Sequence, residues 1–354
     1  MSVSVNEIQA LARENVKRLS PYSSARDEFK GIQDHVFLDA NESPYANGFN
    51  RYPQPQPPQL LDQLSSIRKV ATEQILIGNG SDEILDLLYR AFCEPGKDSV
   101  VYMPPTYGMY KVLAGINNVK AKELPLQAGF RLPMQEITRA VEEDPKGLKM
   151  LLFCSPNNPT GHSFPAKEIE KILEVFPGLV VIDEAYIDFS SQASWLERLS
   201  EFPRLVVTQT FSKAWGMAGL RLGIAYAHPE IISLLKRIKP PYNIDSLSQL
   251  QGSEQLESWD EIQRQVSEVL QERSVLAQAL AQFSFVEEVF PTDANFLLIR
   301  VDDAQRRYDE LLARGVVVRN RSKEHGCENC LRITVGTPSE NKQLLDMLNQ
   351  MQST

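Results

Sequence analysis

Thr208–Gly223 reads TQTFSKAWGMAGLRLG, and the residues leading into it, Arg204–Thr208, read RLVVT. The apolar run predicts a buried strand. Lys213 then falls in the turn where such a strand delivers its side chains to the carboxyl edge of a sheet, which is where open α/β sheets bind ligands. Its neighbours are small or apolar, with Ser212 before it and Arg221 after it. A lysine among apolar neighbours has its charged form disfavoured, so its amine can act as a nucleophile and join an aldehyde as a Schiff base.

Working outward, the same order of apolar run, polar turn and helical spacing recurs. Ile75–Ile77 runs into Gly78-Asn79-Gly80-Ser81-Asp82-Glu83, followed by Ile84, Leu85, Leu87, Leu88 and Phe92 at helical spacing. Ser99–Met103 leads to Pro104-Pro105-Thr106-Tyr107-Gly108, and Met109–Ala114 starts a helix. Leu148–Cys154 leads to SPNNPTG at 155–161, and Leu179–Ile182 to Asp183-Glu184-Ala185-Tyr186. Repeated units of this kind predict an α/β fold: a mostly parallel central sheet with helices on both faces and a site along one edge.

The flanking segments differ. Residues 1–30 read as an N-terminal arm, counted with the small domain, with a short helix ending near Pro21-Tyr22. Phe37–Pro44 starts as a strand and breaks at the proline, and Arg51–Pro58 is too rich in proline for helix or central strand, so it is an exposed arm carrying Tyr52. The large domain is placed at 31–250. A smaller α+β domain covers 251–354, joined by a long helix near 259–283, with strands at 286–290, 296–301, 316–319 and 331–335 and helices at 304–313 and from 339.

The 354 residues are 42% hydrophobic and 23% charged, the composition of an ordinary globular protein with a substantial core. A net charge of −9 without a basic tract argues against nucleic acid as a partner. There is no apolar leader and no uncharged apolar stretch near 18 residues, so neither secretion nor membrane spanning is expected, and a cytoplasmic location is. Cys93, Cys154, Cys327 and Cys330 are too scattered for a disulfide framework, and the lone CxxC at 327–330 lacks the further ligands that a structural metal site needs.

The polar residues at the strand ends agree on one kind of ligand. Gly80, Ser81 and Asp82 open a helix whose amino end offers N–H groups to a phosphate. Asp183 ends an apolar strand and would be buried without a cationic partner such as a pyridinium N–H. Tyr186 and Asn158 are placed to donate to a phenolic oxygen, Tyr107 to stack on a ring, and Ser212 and Arg221 to meet phosphate oxygens. Taken singly, each has an ordinary structural reading as a cap, a turn residue or a surface charge. Taken with Lys213, they describe pyridoxal 5′-phosphate.

GNGSDE at 78–83, PPTYGMY at 104–110, SPNNPTG at 155–161, DEAYIDF at 183–189 and TFSKAWGMAGLRLG at 210–223 are the motifs by which the chain resembles the fold-type I pyridoxal-phosphate aminotransferases. ANESPY at 40–45, NRYP at 50–53 and CLRITVGT at 330–337 make it most similar, within that family, to members acting on histidinol phosphate. The resemblance implies that Lys213 is the Schiff-base lysine, Asp183 the partner of the pyridine nitrogen, Asn158 and Tyr186 the phenolate donors, and Tyr107 the stacking ring. It places Gly80, Ser81, Asp82, Ser212 and Arg221 around the phosphate, and Arg332, Arg319, Tyr22 and Asn41 around the substrate. It also implies a homodimer in which Tyr52 reaches the neighbouring active site. The implied reaction converts L-histidinol phosphate and 2-oxoglutarate to imidazole-acetol phosphate and L-glutamate, as a step of histidine biosynthesis. An aromatic amino-acid aminotransferase, a threonine-phosphate decarboxylase and a non-catalytic pyridoxal-binding protein are the other readings. The charged insert Asn320–Asn329, with His325 and Cys327, departs from the family pattern.

Overall fold

A computed structural model describes residues 5–20 and 36–352. Among them the strands are β1 (Ile75–Asn79), β2 (Ser99–Tyr102), β3 (Lys120–Glu123), β4 (Leu148–Cys154), β5 (Leu179–Asp183), β6 (Leu205–Thr210), β7 (Leu222–Ala227), β8 (Val286–Val289), β9 (Phe296–Val301), β10 (Arg319–Asn320) and β11 (Cys330–Thr334). The first seven belong to one sheet and the last four to another. The fold is the expected α/β class, a mostly parallel sheet flanked by helices with a smaller antiparallel sheet beside its own helices. The chain divides into two compact units, each drawn from separated stretches.

The first unit holds the described residues of Met1–Asp98, Leu113–Val119 and Trp195–Trp259. Here β7 lies between β1 and β6 and runs antiparallel to both, a reversal that a simple repeat of strand and helix does not foresee. Its cause is the connection. Residues 211–221 contain only a short 3-10 turn, and a parallel return needs a longer crossover, normally a helix. The helix Gly80–Phe92 buries Ile84, Leu85 and Leu88 completely, as its apolar spacing requires. The N-terminal segment forms two helices, Val5–Leu11 and Glu14–Arg18, whose Ile8 and Val16 are buried. Arg13 pairs with Glu94 and the Arg237 guanidinium donates to the Lys17 carbonyl, which ties this segment down. Gln56 of the proline arm bonds both N–H and C=O of Ile77 with its side-chain amide, imitating a neighbouring strand along β1.

The second unit holds Ser99–Val112, Lys120–Ser194 and the described residues of Asp260–Thr354. Its strands β3, β2, β4 and β5 are parallel throughout, with the helices Met134–Glu143 and Ala166–Val175 as crossovers. Near-continuous apolar runs in β4 and β5 suit strands covered on both faces. The second sheet, ordered β10-β11-β9-β8, is antiparallel. Leu280, Leu297, Ile299, Leu331 and Leu348 share one core beneath it.

Three expected elements differ. Phe37–Pro44 forms no strand, and Leu38 is 88% exposed, because Asp39–Ser43 is polar and Asn41 takes a left-handed turn at φ 55°. The strand expected at Val316–Arg319 shrinks to Arg319–Asn320, since β11 offers register partners only to those two residues, and Val317 is 74% exposed. The long helix stops at Leu280 and buries Ile262, Leu276 and Leu280, leaving Val266, Val269 and Leu270 partly covered.

Candidate functional site

In the first unit, β1 delivers Asn79 to the start of the helix Gly80–Phe92. Gly80 turns the chain at φ +76°, a conformation that side chains with a Cβ resist. The first N–H groups of a helix have no partner within it, so they face outward as donors. Gly223 on β7 closes the other side. A Cβ there would lie 2.2 Å from the Ser81 nitrogen, so its absence is what leaves room beside that N–H. Arg221 is held in a left-handed conformation at φ 55°; its Nη1 donates to the Ala218 carbonyl at 3.3 Å and its Nη2 lies 3.9 Å from Asp82 Oδ2. A Cβ on Gly80 would come within 2.7 Å of Arg221 Nη2. The structure thus brings Gly80, Ser81, Asp82 and Arg221 together. The Thr210 hydroxyl, to which the sequence reading gave no role, bonds the Ser212 hydroxyl and accepts from the Ser212 N–H, both at 3.1 Å.

Lys213 lies in the turn after β6, as expected, but its side chain is exposed. The burial expected from its apolar neighbours goes to Ala214 and Trp215 instead, because the turn directs them inward while the Lys213 carbonyl accepts from the Gly216 N–H. Tyr52 is 51% exposed and stacks on Tyr242 with centroids 4.5 Å apart. Glu42 fixes this stretch by accepting from the Tyr52 N–H at 2.6 Å and from Arg51 at 2.7 Å. Asn41, Tyr52, Tyr242 and Asp245 line one cavity of about 500 Å³. Tyr22 lies outside the described residues.

In the second unit, β5 ends on Asp183, 3% exposed, directly opposite Cys154 of β4. Its Oδ1 accepts from the Ala185 N–H at 3.2 Å and its Oδ2 from the Tyr110 hydroxyl at 3.1 Å. Both of these donors are neutral, and a carboxylate this deeply buried is of the kind that can meet a cation. Tyr107 meets Tyr110 edge-on at 5.7 Å. Sequence reading assigned Tyr107 and passed over Tyr110; the signal was its position one residue into the helix Met109–Ile116, where the turn directs it inward.

Asn158 is held by its neighbour. Asn157, 1% exposed, donates to the Pro105 carbonyl and the Thr160 hydroxyl and accepts from Thr106, which locks the turn after β4. The Asn158 amide oxygen accepts from the Arg332 guanidinium. Arg332 and Tyr186 both pack on Phe296, the former with its guanidinium 5.2 Å over the ring and the latter edge-on at 5.2 Å. Burial pushes the Tyr186 phenol well above its ordinary range, so it remains a donor at neutral pH. Arg319 stands directly across from Arg332 in the register of β10 and β11, which puts both side chains on one face. Burial, and after it the charge of Arg321, pull the Arg332 guanidinium down from its ordinary value, with Arg319 adding the smallest share. Two like charges opposed in this way are unfavourable until an anion joins them.

Each unit taken by itself holds residues that fit part of a phosphorylated pyridine cofactor: the first a glycine-cleared helix amino end, the second a buried carboxylate with tyrosines beside it. A sequence model of the aminotransferase class I and II family matches residues 28–348, and the chain belongs to that family. More particularly, it is 53% identical over 347 residues to the histidinol-phosphate aminotransferase of Christiangramia forsetii, spanning 98% of each protein. Its fold is similar to the crystal structure of histidinol-phosphate aminotransferase from Clostridium acetobutylicum, with a TM-score of 0.78 and 21% identity over 86% of this chain and 91% of that one. It is also similar to the enzyme of that name from Sinorhizobium meliloti, solved in complex with pyridoxal-5′-phosphate, with a TM-score of 0.77 and 20% identity over 85% and 84% of the two chains.

Proposed function

We propose that this chain is a pyridoxal-phosphate-dependent transaminase that moves the amino group of L-histidinol phosphate to 2-oxoglutarate, giving imidazole-acetol phosphate and L-glutamate in histidine biosynthesis. The observation that carries the reading is the opposed pair Arg319 and Arg332, whose repulsion an anionic substrate relieves. Paired guanidiniums suit both substrates, because phosphate and carboxylate alike accept forked N–H donors. Full-length identity of 53% to a histidinol-phosphate aminotransferase supports the choice of phosphorylated amine.

Pyridoxal phosphate, when bound, supplies a sink for the electron pair left as a substrate Cα–H bond breaks. Lys213 Nζ is the covalent anchor. The same amine, when not engaged in that bond, would carry the proton away from the substrate Cα. Asp183 holds a proton at the ring nitrogen, while Asn158 and Tyr186 donate to the phenolic oxygen and Tyr107 stacks on the ring. Gly80, Ser81, Asp82, Ser212 and Arg221 hold the phosphate through backbone N–H groups, hydroxyls and a guanidinium. Arg332 and Arg319 orient the substrate anions, and the family resemblance adds Asn41 and Tyr22 to the residues that serve the substrate. Holding the substrate in one orientation keeps the Cα–H bond aligned for cleavage.

The working form on this reading is a cytoplasmic homodimer in which Tyr52 serves the neighbouring active site. Among the described residues no helix is long and apolar enough to cross a membrane. The division into an N-terminal arm, a large domain at 31–250 and a small domain at 251–354 belongs to the same proposal. The test mixes cofactor-loaded protein separately with histidinol phosphate, phenylalanine and O-phosphothreonine while the visible band of the lysine-bound cofactor is followed. Bleaching by histidinol phosphate, with glutamate formed on adding 2-oxoglutarate, is expected; carbon dioxide from O-phosphothreonine overturns the reading.

A further inference from the structure

We infer that Tyr110 is a positioning residue, holding the carboxylate of Asp183 in its charged, fixed form so that it can partner a cationic ring nitrogen. The inference rests on the cofactor role proposed above for Asp183 and adds a residue that the family motifs did not assign.

The geometry is specific. Tyr110 is fully buried, and its hydroxyl lies 3.1 Å from Asp183 Oδ2. The Ala185 N–H holds the other oxygen at 3.2 Å, so the two donors pin the carboxylate plane from both ends. Burial, and after it the Asp183 charge, push the Tyr110 phenol well above its ordinary range, which keeps the O–H in place as a donor throughout the working pH. The titratable and charged groups facing the pair within this unit are Cys154 on β4, Tyr107 at the helix start and Tyr186 after β5, with Arg332 and Arg321 acting on Tyr186. Of the donors to Asp183 described above, Tyr110 alone is a side chain that substitution can remove.

The consequence has a sign. A donor to a carboxylate favours its charged form, and a cation is held only while that form persists. Cofactor affinity that depends on ionised Asp183 is therefore present at higher pH and lost as pH falls. Without the Tyr110 hydroxyl the carboxylate takes up a proton sooner, so the loss moves to higher pH.

The experiment measures the affinity of cofactor-free protein for pyridoxal 5′-phosphate by equilibrium titration between about pH 5 and pH 8, with wild type, Tyr110→Phe and Tyr102→Phe. Tyr102 is an equally suitable buried phenol, bonded to Glu123 at 2.7 Å, and serves as the control for losing such a hydroxyl. Tyr110→Phe is expected to weaken binding about tenfold, the size of a hydrogen bond to a charged group, and to move the acid limb up by about one pH unit. Tyr102→Phe is expected to leave both unchanged. Replacing Tyr110 by 3-fluorotyrosine, a more acidic phenol and stronger donor, is expected to move the limb the opposite way, and it keeps the test decisive if the phenylalanine variant folds poorly. An unshifted limb in Tyr110→Phe, a uniform loss of affinity at every pH, or the same shift in Tyr102→Phe each overturns the inference. Asp183→Asn separates the two readings. If it binds the cofactor and turns over normally, the role of Asp183 itself fails; if it is inactive while Tyr110→Phe is neutral, only the role of Tyr110 fails.

Discussion

Gly223→Ala is a one-carbon change with a large expected effect. The new Cβ would sit 2.2 Å from the Ser81 nitrogen, 2.3 Å from the Gly80 carbonyl carbon and 2.6 Å from its oxygen, all backbone atoms. To pass from 2.2 Å to an ordinary contact of 3.4 Å, β7 and the helix start must separate by about 1.2 Å. Neither side yields easily, because Gly223 is paired in register with Gly78 on β1 and with Thr210 on β6. Overpacking of this sort costs about 1–3 kcal/mol. Hydrogen bonds work over a window of only about 0.5 Å, from about 2.7 to 3.2 Å between heavy atoms, so a shift of this size takes the Ser81 N–H out of reach of a phosphate oxygen. Losing one charge-assisted bond weakens binding by about ten- to a hundredfold. Urea unfolding reports the first effect and titration with pyridoxal 5′-phosphate the second. Gly219→Ala, whose Cβ would meet nothing within 4 Å, is the control. Wild-type stability and affinity in Gly223→Ala would falsify the cradle as the phosphate site.

Lys213→Ala is expected to abolish turnover and the visible band of the lysine-bound cofactor, and retained transamination would refute the lysine's role. Arg319→Ala is expected to raise KM for histidinol phosphate about tenfold, with an unfolding midpoint equal to or above wild type, since it removes a like charge opposite Arg332; a drop in stability with unchanged KM would show a structural role instead. His162 is half-buried, bonds the Thr160 hydroxyl at 2.8 Å, and desolvation holds its pKa below the ordinary 6.5. The unfolded chain therefore takes the proton more readily, so stability is expected to fall as pH drops below about 6.5, by at most about 1.4 kcal/mol per pH unit for one group. Urea midpoints in His162→Gln should fall less steeply over that window, and an equal slope would refute the linkage.

Sequence and structure contribute different parts of this site. The candidate residues Asp183, Asn158 and Lys213 were legible because each follows an apolar run and so lies just beyond or at a strand end, a local signal. Tyr110 was not, because an aromatic one residue into a helix looks like core until the partner across the unit is known. Arg319 and Arg332 were legible as a pair of cations, but that they stand opposite one another follows from the register of β10 on β11. Gly223 was visible within its motif without a role, since only the pairing of β7 with β1 sets it against the Ser81 nitrogen.

By itself the sequence determined the order of strand, turn and helix, the α/β class and the chemical types gathered at the strand ends, because hydrophobic period and turn chemistry act over a few neighbouring residues. Tertiary structure decided the reversed direction of β7, the exposure of Lys213 beside buried Ala214 and Trp215, and the phenol at Asp183. Those depend on chain reversal, register and contacts between distant residues such as 110 and 183, and no local pattern encodes them.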